Sequence, residues 1–150
     1  MIRRVSTTTT SDAYTTGMVV NGALTIERFG NGPRISAILR QIIVKQTTTG
    51  VPDMDFIFLD SALSSDLTTL TNAAVVQIND TELTKIVGVA SATASMLFED
   101  NGIMFVTGLD VPMQLANPAA DSNLYVIPVI RATSPVDWGD LEFTFVFEGG

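Results

Sequence analysis

The chain of 150 residues contains no histidine and no cysteine. Their absence removes the imidazole base, the thiolate nucleophile and the nitrogen and sulfur ligands of the common zinc, copper, haem and iron-sulfur sites. It also removes disulfides, so stability must come from packing or assembly, and the redox compartment leaves no mark on the sequence. Lysine is confined to Lys45 and Lys85, and 8 basic residues against 16 acidic ones give a formal net charge of -8. Such a chain repels polyphosphate, and nucleic acid is not an expected partner. Long apolar runs are lacking too. Leu124 to Ile130 is strand length and holds Pro128, far short of the roughly 20 residues of a membrane helix. Met1-Ile2-Arg3-Arg4 leads into Val5-Ser6 and a threonine run rather than an apolar leader, so no membrane partner is expected.

Hydrophobic residues make up 46% of the chain and charged ones only 16%, which excludes a disordered polymer and leaves apolar surface to meet a partner. Self-association is the expected outcome. Abundant Thr and Ser with little Lys favour strands over helices, and about 150 residues suffice for one well-packed core. The expected fold class is all-β, an antiparallel two-sheet sandwich of the jelly-roll kind with an extended N-terminal arm.

Residues 1–16 are polar and β-branched with almost nothing to bury, and read as that arm, ordered only against a neighbour. Residues 17–150 form the sandwich domain. Leu24, Ile26 and Phe29 precede the turn Gly30-Asn31-Gly32-Pro33, and Ile35 to Gln46 reads as a strand that could also be half helix. Met54 to Leu59 is a short apolar strand, and residues 61–75 are a connection with one helical turn. Asp80 is the expected N-cap of a short helix ahead of Leu83 and Ile86, with Gly88 ending it or marking a bulge. Asn101-Gly102 between apolar runs predicts a hairpin. Met113 to Ala116, Leu124 to Thr133 and Leu141 to Phe147 complete the strands, and Leu141, Phe143, Phe145 and Phe147 alternate onto one core face.

Candidate chemistry is thin, and no enzyme is expected. Asp53 and Asp55 could offer oxygens to a hard cation, but the spacing is far from a calcium loop and a turn-stabilising Asp53 is the stronger reading. Asp80 and Glu82 read first as a helix cap with an exposed neighbour, and Glu99-Asp100 as hairpin solubility. Gly30-x-Gly32 lacks the third glycine and the helix of a phosphate loop. Sixteen acids make a glycosidase pair easy to imagine and therefore uninformative. Tyr125 and Trp138 could stack on sugar, although a lone Trp beside Asp137 and Gly139 is more often a loop anchor. Arg3 and Arg4 form a local basic pair that could dock the arm on an acidic surface. The partner-binding candidates are Arg3, Arg4, Thr8, Thr10 and Trp138. No cofactor and no metal is expected.

The segments Phe58-Leu59-Asp60, Thr71-Asn72-Ala73-Ala74, Ile78-x-Asp80, Lys85-Ile86-Val87-Gly88-Val89 and Asn123 to Ile130, in that order, resemble small structural proteins of tailed bacteriophages. The resemblance covers roughly residues 24–148. It implies a jelly-roll or related sandwich protein of the virion, often trimeric, that decorates or cements a capsid. The expected partners are then the chain itself, as a homotrimer, and a major capsid protein. The alternative is a receptor- or carbohydrate-binding jelly roll of a fibre or spike.

Overall fold

A computed structural model describes residues 2–6, 13–27, 35–46, 51–64, 70–93, 97–98, 102–115, 123–131, 136–137 and 141–149. The strands among them are β1 (Ile2–Ser6), β2 (Ala13–Tyr14), β3 (Leu24–Ile26), β4 (Ile35–Gln46), β5 (Met54–Leu59), β6 (Ile86–Ala92), β7 (Leu97–Phe98), β8 (Ile103–Val106), β9 (Val111–Leu115), β10 (Leu124–Ile130), β11 (Val136–Asp137) and β12 (Leu141–Glu148). A 3-10 turn over Asp80–Lys85 leads into β6.

Two antiparallel sheets face each other. The first runs β1-β12-β4-β8-β7, with β9 pairing β4 beyond β8, and the second runs β3-β10-β5-β6. The pairings nest. The first strand pairs the last, β3 pairs β10, β4 pairs β8 and β9, and β5 pairs β6. A hairpin folded back on itself in this order, with alternate pairs in opposite sheets, is a jelly roll.

The core follows from alternation along strands with one face buried. Leu141, Phe143, Phe145 and Phe147 on β12 are all buried. Their rings meet Phe56 and Phe58 of β5 from the opposite sheet, edge to face at centroid distances of 5.2 to 6.4 Å. Such contacts add about 0.5–1.5 kcal/mol each beyond burial, so this ladder pins the two sheets together.

The second sheet is buried on its outer face as well. Val19, Leu59, Ile127 and Val129 form a separate cluster there, with Leu63, Leu70, Val76 and Ile78 packed against it. These last four belong to the β5-β6 connection. That connection passes beside Met18–Val20, where Val19 N-H donates to Ala74 O and Val76 N-H to Gly17 O, both at 2.9 Å. Met18–Val20 in turn continues the β3 edge along β10, with Ile130 N-H donating to Met18 O and Val20 N-H to Pro128 O. Asn21 and Gly22, at φ 62° and 92°, then swing the chain away before β3. Pro128, which has no N-H, sits in a central strand at the point where this ladder ends.

Several expectations are met. The strand over Ile35 to Gln46, the β7-β8 hairpin around Gly102 and the aromatic face of β12 are all present. A register shift between Phe58 and Leu59, opposite Gly88 and Ile86, is the bulge expected there. The arm needs correction. Ile2–Ser6 pair with Val146 to Glu142 of the same chain, so this stretch is an edge strand of the first sheet. Ala13 and Tyr14 also pair, with β11, and Tyr14 is buried in the main core. The boundary at residue 16 therefore does not separate an arm from the sandwich. Low apolar content misleads here because a five-residue edge strand needs backbone partners more than apolar side chains. Residues 7–12 lie outside the described residues. The N-cap is also corrected: Asn79, not Asp80, caps the 3-10 turn, accepting from Thr81 N-H.

Candidate functional site

Three polar constellations stand out, and each begins with an irregularity in a strand or at its end. The first is on β4. Its partner changes from β9, over Ile35 to Leu39, to β8, from Ile42 onward, and the register against β12 shifts between Val146 and Phe147. Arg40 occupies this bulge, where the extra residue is turned out of the ladder. Its Nε donates to Glu148 Oε2 at 2.6 Å and its Nη1 to Asp110 Oδ1 at 3.0 Å. The guanidinium thus ties the end of β12 to the β8-β9 connection. The pairs are solvent-exposed, so each contributes at most about 1 kcal/mol.

The second lies in the β5-β6 connection. Glu82 is only 3% exposed. Its Oε1 accepts from Ser64 N-H and, at 3.1 Å, from Lys85 Nζ, which also donates to Ala62 O at 2.8 Å. A buried carboxylate so compensated is a structural clasp. The expectation that Asp80 caps a helix beside an exposed Glu82 is therefore reversed for Glu82.

The third joins the expected cation candidate to the sheet. The Asp55 carboxylate accepts from Arg131 Nε and, at 2.7 Å, from Ser91 Oγ, while Arg131 N-H donates to Asp53 O at 2.8 Å. Asp53 and Asp55 fasten β5 to the end of β10. Among the described residues, no three acidic side chains gather where a metal ion would sit.

Where β4, β6, β9 and the end of β12 meet, an open groove of about 820 Å³ lies between the sheets. Its lining is mostly apolar, with Ile86, Val87 and Met113, and Asp60, Thr84 and Glu148 contribute polar atoms. Gly88 forms one end of the seam, where an added Cβ would press on Met113 and Val111 at 3.3 Å.

The partner-binding residues expected from sequence are not brought together. Arg3 and Arg4 lie on β1 at the registers of Phe145 and Thr144. Thr8, Thr10 and Trp138 lie outside the described residues, as do Glu99, Asp100 and the Gly30-x-Gly32 turn. Tyr125 is half-buried against the outer cluster of the second sheet. Arg40 was missed, and Glu82 was singled out but read as exposed. Neither carries a sequence signal, because a bulge and a buried clasp depend on residues far away in the chain.

No helix among the described residues is long and apolar enough to cross a membrane. No family model matches the sequence, and no curated protein matches it. Among solved structures, the chain is similar to one from a single-particle study of Maize chlorotic mottle virus, at 8% identity and a TM-score of 0.32. The match covers 99% of this chain and 94% of that one. A TM-score of that size carries no weight for function.

Proposed function

We propose that the chain is a virion structural protein that self-associates and decorates the outside of a tailed-phage capsid shell, stabilising it. The observation that supports this reading is the nested jelly-roll topology, an architecture of viral capsid and lectin domains and of cupins. A cupin-like site with imidazole ligands is closed to a chain without histidine. The polar constellations agree with a structural role, since Arg40, Glu82 and Asp55 are each engaged in holding one element to another. Apolar residues at 46% with little charge fit a protein that works in an assembly.

The test is quantitative mass spectrometry of purified particles, with shell stability measured with and without the chain. A fixed number of copies per capsomer, and shells that disassemble at lower temperature without it, are expected. Absence from washed particles overturns the reading. Glycan-array binding by the isolated protein, without association with shells, would move it to the carbohydrate-binding alternative.

A further inference from the structure

Within the β5-β6 connection, no residue from Leu70 to Asp80 is buried. The cluster that the connection covers is the opposite case, since Val19, Leu59, Ile127 and Val129 are all 0% exposed. A stretch that buries so little of itself belongs to the low end of local stability, even where what lies beneath it is as buried as any part of the main core.

The stretch is held in two ways. Its backbone runs beside Gly17–Val19, with Ala73 N-H donating to Val19 O, Val19 N-H to Ala74 O and Val76 N-H to Gly17 O, each at 2.9 Å. The second tie is Asn72, whose Oδ1 accepts from Tyr14 O-H at 2.8 Å and from Asn21 N-H at 2.9 Å. Because Tyr14 belongs to the main core, Asn72 latches the outer layer to the sandwich. Beside this latch, Ala73 has a φ of 60°, a left-handed conformation that is unfavourable for a residue with a Cβ. The latch is closed against backbone strain.

The other end of the connection is fastened independently of the latch. Asp60 N-H donates to Lys85 O at 3.0 Å, Lys85 Nζ to Ala62 O at 2.8 Å and Ser64 N-H to Glu82 Oε1. These bonds join the beginning of the connection to its end, so none of them breaks when residues 70–78 lift. The sheets do not depend on the cover either, because the Phe56, Phe58, Phe143, Phe145 and Phe147 ladder lies in the main core and shares no member with the covered cluster.

We infer that residues 70–78 are a flap that lifts from the second sheet as a unit, released at Asn72 and Ala73 and anchored at the Glu82-Lys85 clasp. Lifting bares Leu59, Ile127 and Val129 while the two sheets stay packed. The flap thereby gates an apolar sheet face that the closed molecule hides. The inference goes beyond the assembly role and holds whether or not the chain sits on a shell.

The experiment uses the full chain. Because it has no cysteine, a single introduced thiol reports without background. Val129→Cys places a thiol under the flap and Ala92→Cys one in the main core on β6, both at fully buried positions. In native buffer an aromatic disulfide reagent should label Val129→Cys about tenfold faster than Ala92→Cys, since lifting the flap takes less free energy than unfolding the sandwich. Asn72→Ala removes an acceptor from Tyr14 O-H and Asn21 N-H, and should speed labelling of Val129→Cys about tenfold while leaving Ala92→Cys unchanged. Ala73→Gly relieves the strain at φ 60° and should slow labelling of Val129→Cys about threefold. This second variant decides the matter if Asn72→Ala does not fold. Equal labelling of the two thiols overturns the inference, as do latch variants that shift both thiols alike or shift neither.

Discussion

Phe145 lies 5.4 Å, centroid to centroid, from both Phe56 and Phe58, and is fully buried. Truncating it removes two edge-to-face contacts and leaves a cavity between sheets that cannot close without moving β12. Phe145→Ala should therefore cost about 3–5 kcal/mol in urea unfolding, and a loss under about 1 kcal/mol would mean that the ladder does not hold the sheets. Glu82 works by satisfying others. Glu82→Ala strips the acceptor from Ser64 N-H and Lys85 Nζ and should cost about 1–3 kcal/mol, while Glu82→Gln, which keeps one acceptor oxygen, should cost less. Equal losses for the two would show that shape, not the acceptor, matters there. The two residues differ in how far the sequence announces them. Alternation along Leu141 to Phe147 is a local pattern with a local cause, so the ring face was legible. Burial of Glu82 depends on Ser64, eighteen positions away, and a carboxylate beside Asp80 looks the same whether it caps or clasps.

At the scale of elements, the β5-β6 connection does the work of a third layer. Leu63, Leu70, Val76 and Ile78 were legible only as apolar residues in a polar stretch, because what they cover is the back of β10. The run of β10 is apolar almost throughout, as a strand buried on both faces lacks alternation, but it was read only as a strand. The connection is held close at Gly22, whose φ of 92° disfavours a side chain and where an added Cβ would lie 2.9 Å from Leu70 O. Gly22→Ala should cost more than about 1 kcal/mol and raise amide hydrogen exchange at Val19, Ala74 and Val76 before that of β12. Uniform acceleration through both sheets would show that the layer does not open separately.

For the whole molecule, the edge strand β1 is the clearest case of information the sequence hides. Its partners lie about 140 positions away, and nothing in a threonine-rich beginning points to them. Deleting residues 1–6 removes a five-residue ladder. At about 0.5 kcal/mol per net hydrogen bond the loss is about 2 kcal/mol, or about 4–8 °C in Tm for a chain of this size. An unchanged melting temperature would return these residues to the role of a free arm. The sandwich itself was legible from the spacing of strands and turns, and so was its jelly-roll order as the common solution.

That order bears on how the protein is made. Because β12 lies between β1 and β4, the first sheet has no middle until residues 141–148 leave the ribosome. At about 5–20 residues per second, β1 waits about 7 to 28 s during translation for the strand it pairs with. Throughout that interval the apolar length of β4 is bare of β12. The nascent chain thus cannot complete this sheet piece by piece as it emerges, and β4 must be sheltered, by chaperone or by dilution, until the last strand closes the sheet.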